Sequence, residues 1–311
     1  MKVVSLFSGA GGLDLGFIMA GHEIIWANDL YEDAVSTYRK NLGNHIVCED
    51  ISKISAEDIP DCDIVIGGFP CQGFSVANTK RHIGDERNEL YKQLIRIITA
   101  KKPKFFLAEN VKGLTNLAKG AVFKMILNDF SEMGYKVSYK VLNAADYGVP
   151  QTRLRVIIVG VRSDIDWEYA FPAPTNTQGG SDSLPDWVSV SEALADIPDP
   201  DLPNNLPNHT YSKYKLNING YLGHRLLDPN KPAPTVTARG DSRGGVVIHP
   251  HPNGLRRMSC RELATVQSFP LTYEFCGNNS SVYRQIGNAV PPLLGYAVAK
   301  QFNGYGGGVG V

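Results

Sequence analysis

The chain is poor in the features that would place it in a special class. Its five cysteines, Cys48, Cys62, Cys71, Cys260 and Cys276, form an odd and scattered set with no C-x-x-C pair. That spacing suggests neither a disulfide framework nor a zinc site, so no metal is expected. No apolar run reaches the length that spans a bilayer, and the strand-like run Val3 to Phe7 has no signal peptide ahead of it. The expectation is a cytoplasmic protein, in a reducing compartment and without membrane contact. Net charge is missing too, since 31 Lys and Arg balance 31 Asp and Glu. No global basic excess advertises nucleic acid, although charge segregated by region would give the same sum. The remaining composition, 43% apolar and 20% charged, is that of a globular protein with one large domain or two smaller ones.

The stretch that organises the rest is Gly67-Gly68-Phe69-Pro70-Cys71-Gln72-Gly73-Phe74-Ser75. It follows the apolar run Asp63 to Ile66, which reads as a buried strand, so Cys71 is expected on a loop at that strand's C-terminal end. In an open α/β sheet ligands bind at that edge. Pro70 fixes a dihedral beside the thiol, and the flanking glycines admit a close approach to the backbone. The bland alternative is a small buried hydrophobe, the usual state of a free cysteine. A second buried run, Lys104 to Val111, brings Glu109 to the same edge. A carboxylate there resists ionisation and suits a proton donor; a helix cap is the alternative. A third run begins Gln151-Thr152-Arg153-Leu154-Arg155, with both guanidiniums expected on one face, suited to a phosphate or an acidic partner.

Three earlier strands read as a cofactor groove. Val3 to Phe7 leads through Ser8-Gly9-Ala10-Gly11-Gly12 into a helix from Leu13 to Ala20. A strand, a glycine turn and a helix N-terminus make a nucleotide-type cradle, although the pattern is not G-x-G-x-x-G. Glu23 to Asp29 ends in an acid at roughly the 20-residue offset that suits ribose hydroxyls. Asn44 to Ile51 ends in Glu49-Asp50. Either acid could instead cap the element that follows it.

The middle of the chain is uneven. Residues 80–104 carry eight Lys and Arg against three acids, a local excess that tracks phosphates or simply solvates a helix. Residues 181–207 hold six acids, no Lys or Arg and many prolines, and read as an irregular connection without helix. Residues 208–270 hold nine Lys and Arg against three acids, with Tyr211, Tyr214, Tyr221, His209, His224, His249 and His251, which favours a nucleic-acid face.

Taken in order and at their spacing, these segments resemble the bacterial C5-cytosine DNA methyltransferases of restriction–modification systems. The carriers are Phe-Ser-Gly-Ala-Gly-Gly, Pro-Cys-Gln, Glu-Asn-Val, Gln-x-Arg-x-Arg, Arg261-Glu262 to Gln267-Ser268-Phe269-Pro270, and Gln285 to Pro291. The resemblance runs from Val4 to about Phe302. It implies an α/β fold: a mostly parallel, Rossmann-like S-adenosylmethionine-dependent methyltransferase sheet, with a smaller irregular target-recognition domain. The expected boundaries are 1–165 for the catalytic and cofactor-binding domain, 166–275 for target recognition, 276–303 for the return of the chain, and 304–311 for a disordered tail.

The resemblance further implies Cys71 as nucleophile, Glu109 as donor to the base edge, and Arg153 with Arg155 at the base or its phosphate. S-adenosylmethionine, leaving as S-adenosylhomocysteine, would meet Phe7, Gly9, Gly11, Gly12, Asp29, Asp50, Ile51, Pro70, Leu90, Asn288 and Ala289. Double-stranded DNA would meet Gln72 and Ser75 beside the nucleophile. Around Pro234-Thr235-Val236-Thr237 it would meet Thr235, Thr237, Arg225, Arg239, Asp241, Ser242 and Arg243. Asp29 stands where many relatives carry glutamate. The expected actor is a monomer, with a cognate restriction endonuclease on the same site as an optional partner. The alternatives are a tRNA cytosine-5 methyltransferase, a non-catalytic DNA-binding regulator and a small-molecule methyltransferase. The full Gln267-to-Pro270 motif and the basic insert favour DNA over RNA, and the intact catalytic set argues against a pure binder.

Overall fold

The computed structural model describes residues 1–70, 90–220, 224–238 and 248–306. Seven strands form one sheet in the order β3-β2-β1-β4-β5-β7-β6. They are β1 (Lys2–Leu6), β2 (Glu23–Asp29), β3 (Ile46–Cys48), β4 (Ile64–Gly67), β5 (Phe105–Val111), β6 (Tyr135–Asn143) and β7 (Leu154–Arg162). The first five run parallel, and β7 inserts antiparallel between β5 and β6. The helices of this half are α1 (Gly12–Met19), α2 (Glu32–Asn41), α3 (Leu90–Lys101) and α4 (Ala121–Glu132).

The central strands β1, β4, β5 and β7 are largely apolar because both their faces are covered. In β5, Phe105 and Leu107 face one cluster while Phe106 and Ala108 face the other. In β7, Ile157, Val159 and Val161 alternate in the same way with Val156 and Ile158. β3 is only three residues long, shorter than the run from Asn44 to Ile51 suggests. It lies at the sheet edge, where Val47 and Cys48 are exposed.

Beyond Arg162 regular structure thins out. The expectation of no helix within 181–207 is corrected by α5 (Val190–Leu194), which a full capping box between Ser189 and Glu192 starts. The Ser-x-x-Glu signal was in the sequence, masked by the surrounding prolines and acids. α6 (Cys260–Val266) begins with the same device, Ser259 with Glu262, and is followed by α7 (Asn279–Asn288) and α8 (Pro292–Lys300). A third apolar cluster joins Val190, Leu227, Val236 and Ile248 to α6 and α7, and takes in Ala10 of the glycine loop. This cluster runs across residue 276, since Phe269, Tyr273 and Phe275 pack with Val282 and Tyr283.

The expected tail from residue 304 begins too early. Tyr305 packs its ring 4.9 Å from that of Phe105 and 5.8 Å from that of Trp167. An aromatic side chain over a buried strand holds the chain end in place. Among the described residues no helix is long and apolar enough to cross a membrane.

α8 returns the chain to α1, and the two helices meet through glycine. A Cβ on Gly16 would lie 2.4 Å from the backbone carbon of Gly295, so neither helix can yield by a rotamer change. Since α1 carries the glycine loop at its N-terminus, this contact fixes where that loop sits. Gly16→Ala should therefore cost about 1–3 kcal/mol of stability, the usual range for overpacking, measured by urea unfolding. Unchanged stability would show that the two helices are not held at this spacing.

Candidate active site

The C-terminal ends of the parallel strands and the start of β7 converge on one edge of the sheet. On β5, Glu109 and Asn110 are buried. The Glu109 Oε1 atom lies 2.7 Å from Nε of Arg155, at the start of β7. Burial pushes the Glu109 carboxyl above its ordinary range, against the pull of the Arg155 and Arg153 charges. Two further contacts bind the loop after β4 to this pair. A Cβ on Gly68 would sit 3.0 Å from Oε2 of Glu109, and the Asn110 side-chain amide donates to the Phe69 carbonyl at 3.0 Å. The chain is thus fixed against Glu109 through Phe69, two residues before Cys71. Cys71, Gln72 and Ser75 lie outside the described residues, as do Arg239, Asp241, Ser242 and Arg243.

Arg153 does not share the direction of Arg155. It is 1% exposed, and its guanidinium donates to the carbonyls of Val236 (2.7 Å), Gly287 (2.8 Å) and Ala289 (2.9 Å). The expectation of two guanidiniums aimed at one phosphate is corrected for Arg153: backbone carbonyls occupy its two terminal nitrogens. Beside it lie two buried amides that sequence reading passed over as parts of motifs. Gln151 accepts from the Val236 N–H at 2.9 Å and donates to Gln267 at 2.7 Å. Gln267 in turn donates to the carbonyls of Ile286 (2.6 Å) and Ala289 (3.2 Å).

The glycine loop lies next along the edge. Phe7 has a left-handed backbone, φ 56°, a strained state for a non-glycine residue. Gly11 and Gly12 are packed solid, since a Cβ on Gly12 would lie 2.2 Å from the Val290 carbonyl oxygen. Gly9 differs, with nothing within 4 Å of where its Cβ would be, so the loop is open there. The Asp29 carboxylate accepts from the Gly9 N–H at 2.8 Å and the Tyr31 N–H at 2.9 Å. Each oxygen keeps a further lone pair for a hydroxyl. Asp50 accepts from the Ser52 N–H at 2.9 Å, so here the capping role exists, at the lip of the groove. The Ile51 side chain is buried in the core, Pro70 and Leu90 are half-buried, Ala289 is buried and Asn288 is exposed. An open glycine beside a carboxylate with spare acceptors fits the ribose and methionine parts of S-adenosylmethionine.

Beneath the loop is a carboxyl that sequence reading also missed. Asp14 on α1 is fully buried and accepts from the Ser5 hydroxyl at 2.7 Å and the Tyr38 hydroxyl at 2.8 Å. No cation contacts it among the described residues, and burial pushes its carboxyl up to about 6.

The basic character of residues 208–270 is smaller at the surface than the count suggests. Arg256, Arg257 and Arg261 are buried, and Arg256 is paired with Glu262 at 2.7 Å. Arg261 bonds the carbonyls of Pro207, Pro270 and Tyr273. His209 and His249 are also internal. Arg225 is exposed, and Thr235 is half-buried with its hydroxyl on the Thr152 carbonyl at 2.8 Å. The Thr237 hydroxyl oxygen is buried with no hydrogen-bond partner among the described residues.

A seven-stranded sheet with one inserted antiparallel strand, and a polar site at its C-terminal edge, is the architecture of S-adenosylmethionine-dependent methyltransferases. Residues 1–304 match the C-5 cytosine-specific DNA methylase family, and the chain belongs to it. Among curated relatives, the Type II methyltransferase M.NgoFVII of Neisseria gonorrhoeae is 42% identical, covering 96% of this chain and 85% of its own. M.BspRI of Lysinibacillus sphaericus is 38% identical, covering 96% and 80%. Among solved structures, a protein described as a DNA modification methyltransferase encoded within an Escherichia coli prophage superposes with a TM-score of 0.75. It is 26% identical and covers 98% of this chain and 99% of its own. The S. pombe Dnmt2 methyltransferase, 19% identical with a TM-score of 0.72 and covering 98% and 99%, shares the fold. The chain is a DNA cytosine-5 methyltransferase with S-adenosylmethionine as methyl donor.

The Asp14 carboxyl gives the site a testable pH dependence. Its folded pKa, about 6, lies above the unfolded value, so the folded state holds this proton more tightly. That contribution is complete below about pH 4 and lost as pH rises through about 6. Relative to Asp14→Asn, the wild type should therefore lose up to about 3 kcal/mol between pH 4 and pH 7, read by urea unfolding across that range. Parallel curves for the two proteins would show that Asp14 ionises normally.

Proposed function

We propose that the chain methylates cytosine in duplex DNA at a defined sequence, with Cys71 as nucleophile, Glu109 as acid, and Arg155 as the group that holds both in register. The Glu109–Arg155 pair at 2.7 Å, with Gly68 pressed against the same carboxyl, carries this reading. Cytosine C5 is a weak nucleophile, and addition of the Cys71 thiolate to C6 transfers electron density to it. A carboxyl raised by burial donates a proton to N3, which keeps the adduct from becoming a bare anion. Arg155 holds the Glu109 side chain towards the base edge, and its charge favours the thiolate. When bound, the cofactor supplies an electrophilic methyl group at C5. Loss of the C5 proton then restores the ring and expels Cys71.

The target atom is out of reach in a stacked duplex, so the base is flipped into this edge. Phe7, Gly9, Gly11, Gly12, Asp29, Asp50, Ile51, Pro70, Leu90, Asn288 and Ala289 form the cofactor cleft in this reading. The open position at Gly9 and the spare acceptors of Asp29 support it. Ile51 contributes from the floor, through backbone. Arg225, Thr235 and Thr237 are proposed at the DNA, with Gln72, Ser75, Arg239, Asp241, Ser242 and Arg243 from the sequence pattern. Residues 1–165 then serve catalysis, 166–275 target recognition, and 276–303 closure of the cofactor cleft. In this reading the protein acts in the cytoplasm as a monomer, with a nuclease of the same specificity as an optional partner.

The deciding experiment offers a library of duplexes containing 5-fluorocytosine together with S-adenosylmethionine. Fluorine cannot leave as a proton does, so a denaturation-resistant protein–DNA complex should accumulate, and Cys71→Ser should abolish it. No complex with DNA, but one with RNA, would transfer the assignment to RNA. Glu109→Gln should lower the methylation rate by about 10²–10⁴-fold. Wild-type activity should fall as pH rises through the raised Glu109 pKa, because the acid must carry its proton, and Glu109→Gln should lack that alkaline limb. A rate within twofold of wild type in Glu109→Gln would remove Glu109 from the mechanism.

A further inference from the structure

Three separate stretches of chain meet at Arg153. Residues 233–238 carry Thr235 and Thr237. The C-terminal end of α7 and the turn after it, 286–290, carry Asn288 and Ala289. The third is the approach to β7 itself. One guanidinium reaches Val236 with one terminal nitrogen, and Gly287 with Ala289 through the other. Gln151 and Gln267 close the ring from either side, Gln151 on Val236 and Gln267 on Ala289. Thr152 and Pro150 extend the contact by backbone bonds to Ala233, at 2.8 and 2.9 Å.

The first two stretches also touch directly, and the second touches the glycine loop, each at a position where only glycine fits. A Cβ on Gly287 would lie 2.3 Å from the Thr237 carbonyl carbon, and one on Gly12 would lie 2.2 Å from the Val290 oxygen. An unbroken series of backbone contacts therefore runs from 237–238, through Gly287 and Val290, to the glycine loop at Gly12. Nothing along it is a flexible side chain that could absorb a displacement. Arg153 is the only described side chain that bonds both 233–238 and 287–289 with a charged group: these carbonyls take up its two terminal nitrogens, and its buried Nε has no partner among the described residues.

We propose that Arg153 is a positioning residue that couples the recognition segment 233–238 to the cofactor cleft, so that duplex DNA and cofactor each tighten the binding of the other. This rests on the methyltransferase reading above and concerns a step other than the chemistry. A DNA duplex seated on Thr235 and Thr237 fixes the Val236 carbonyl, and through Arg153 the carbonyls of Gly287 and Ala289. The cleft wall facing Gly12 is then already in place when the cofactor arrives. Reciprocity follows from linkage, since a factor gained by one ligand is gained equally by the other.

The test measures the dissociation constant of S-adenosylhomocysteine, which cannot turn over, with and without a saturating duplex. The duplex carries the sequence selected by 5-fluorocytosine trapping, with ordinary cytosine. For the wild type the duplex should tighten cofactor binding by about fivefold or more. In Arg153→Met that ratio should collapse to about one, with a smaller change in the constant measured without DNA. Arg153→Lys, which keeps the charge but offers one point donor in place of a fork, should fall between them. A purely structural role would lower stability and leave the ratio intact.

A ratio of one in the wild type, or an unchanged ratio in folded Arg153→Met, overturns the proposal. Should Arg153→Met not fold, Gln267→Leu takes its place. It keeps the Arg153 bonds but cuts the links of residue 267 to Gln151, Ile286 and Ala289, and should lower the ratio; an unchanged ratio there overturns it as well. A protein that traps no duplex fails the functional reading and this one with it, whereas one that traps normally but shows no coupling fails this one alone.

Discussion

A buried guanidinium without a carboxylate in contact is the constraint from which much of this structure follows. Arg153 is kept from water by three chain segments, and removing a cation from water is costly unless its donors are met. Here backbone carbonyls meet those of its two terminal nitrogens, while its Nε has no partner among the described residues, and carbonyls cannot move without moving the chain. The guanidinium therefore dictates the separation of 236 from 287 and 289. The neighbouring glycines show how tight that separation is, since neither Gly287 nor Gly12 has room for a methyl group. Arg155, two residues on, escapes this fate because its Nε meets Glu109 at the sheet edge. Two arginines in one motif thus have different partners, one enclosed by backbone carbonyls and one paired with a buried carboxylate.

The site itself is a contest between burial and charge. Glu109 is placed where the sheet is dry, which favours the protonated acid, and beside a cation, which favours the carboxylate. The balance lies on the side of burial. A group in that position keeps its proton to a higher pH than an ordinary carboxyl, and in the proposed mechanism it donates that proton to the base edge with Arg155 beside the carboxylate left behind. Asp14 shows the same physics without a cation in contact. Buried under the glycine loop with two hydroxyl donors, it holds its proton to a higher pH than an ordinary carboxyl.

Much of the sheet was legible in the residues. β2 runs from Glu23 to Asp29 as its apolar run and terminal acid suggest, and α1 and β5 fall within a residue of the runs Leu13 to Ala20 and Lys104 to Val111. These elements have strong local periods, and both sheet faces demand apolar residues. The insert was harder to read. α5 was lost because a capping box of four residues is a weak signal among prolines. The basic count of 208–270 misled because a formal charge says nothing of where its side chain points. Arg256, Arg257 and Arg261 are internal, and Arg261 serves as a clamp for the carbonyls of Pro207, Pro270 and Tyr273.

The sequence by itself determined the class of protein and the chemistry it carries. A cysteine loop, a glutamate, an arginine pair and a glycine turn follow one another at spacings that match the family. It could not determine how the members of a motif divide their labour. Gln151, Arg153 and Arg155 alternate along a few residues, but Gln151 and Arg153 find their partners in the distant segments at Val236, Gln267, Gly287 and Ala289, whereas Arg155 meets Glu109 of β5. Which guanidinium is enclosed by carbonyls and which reaches a carboxylate is decided by packing of those distant segments. Only the tertiary structure holds that information, because a hydrogen bond depends on where two groups meet in space and not on their separation along the chain.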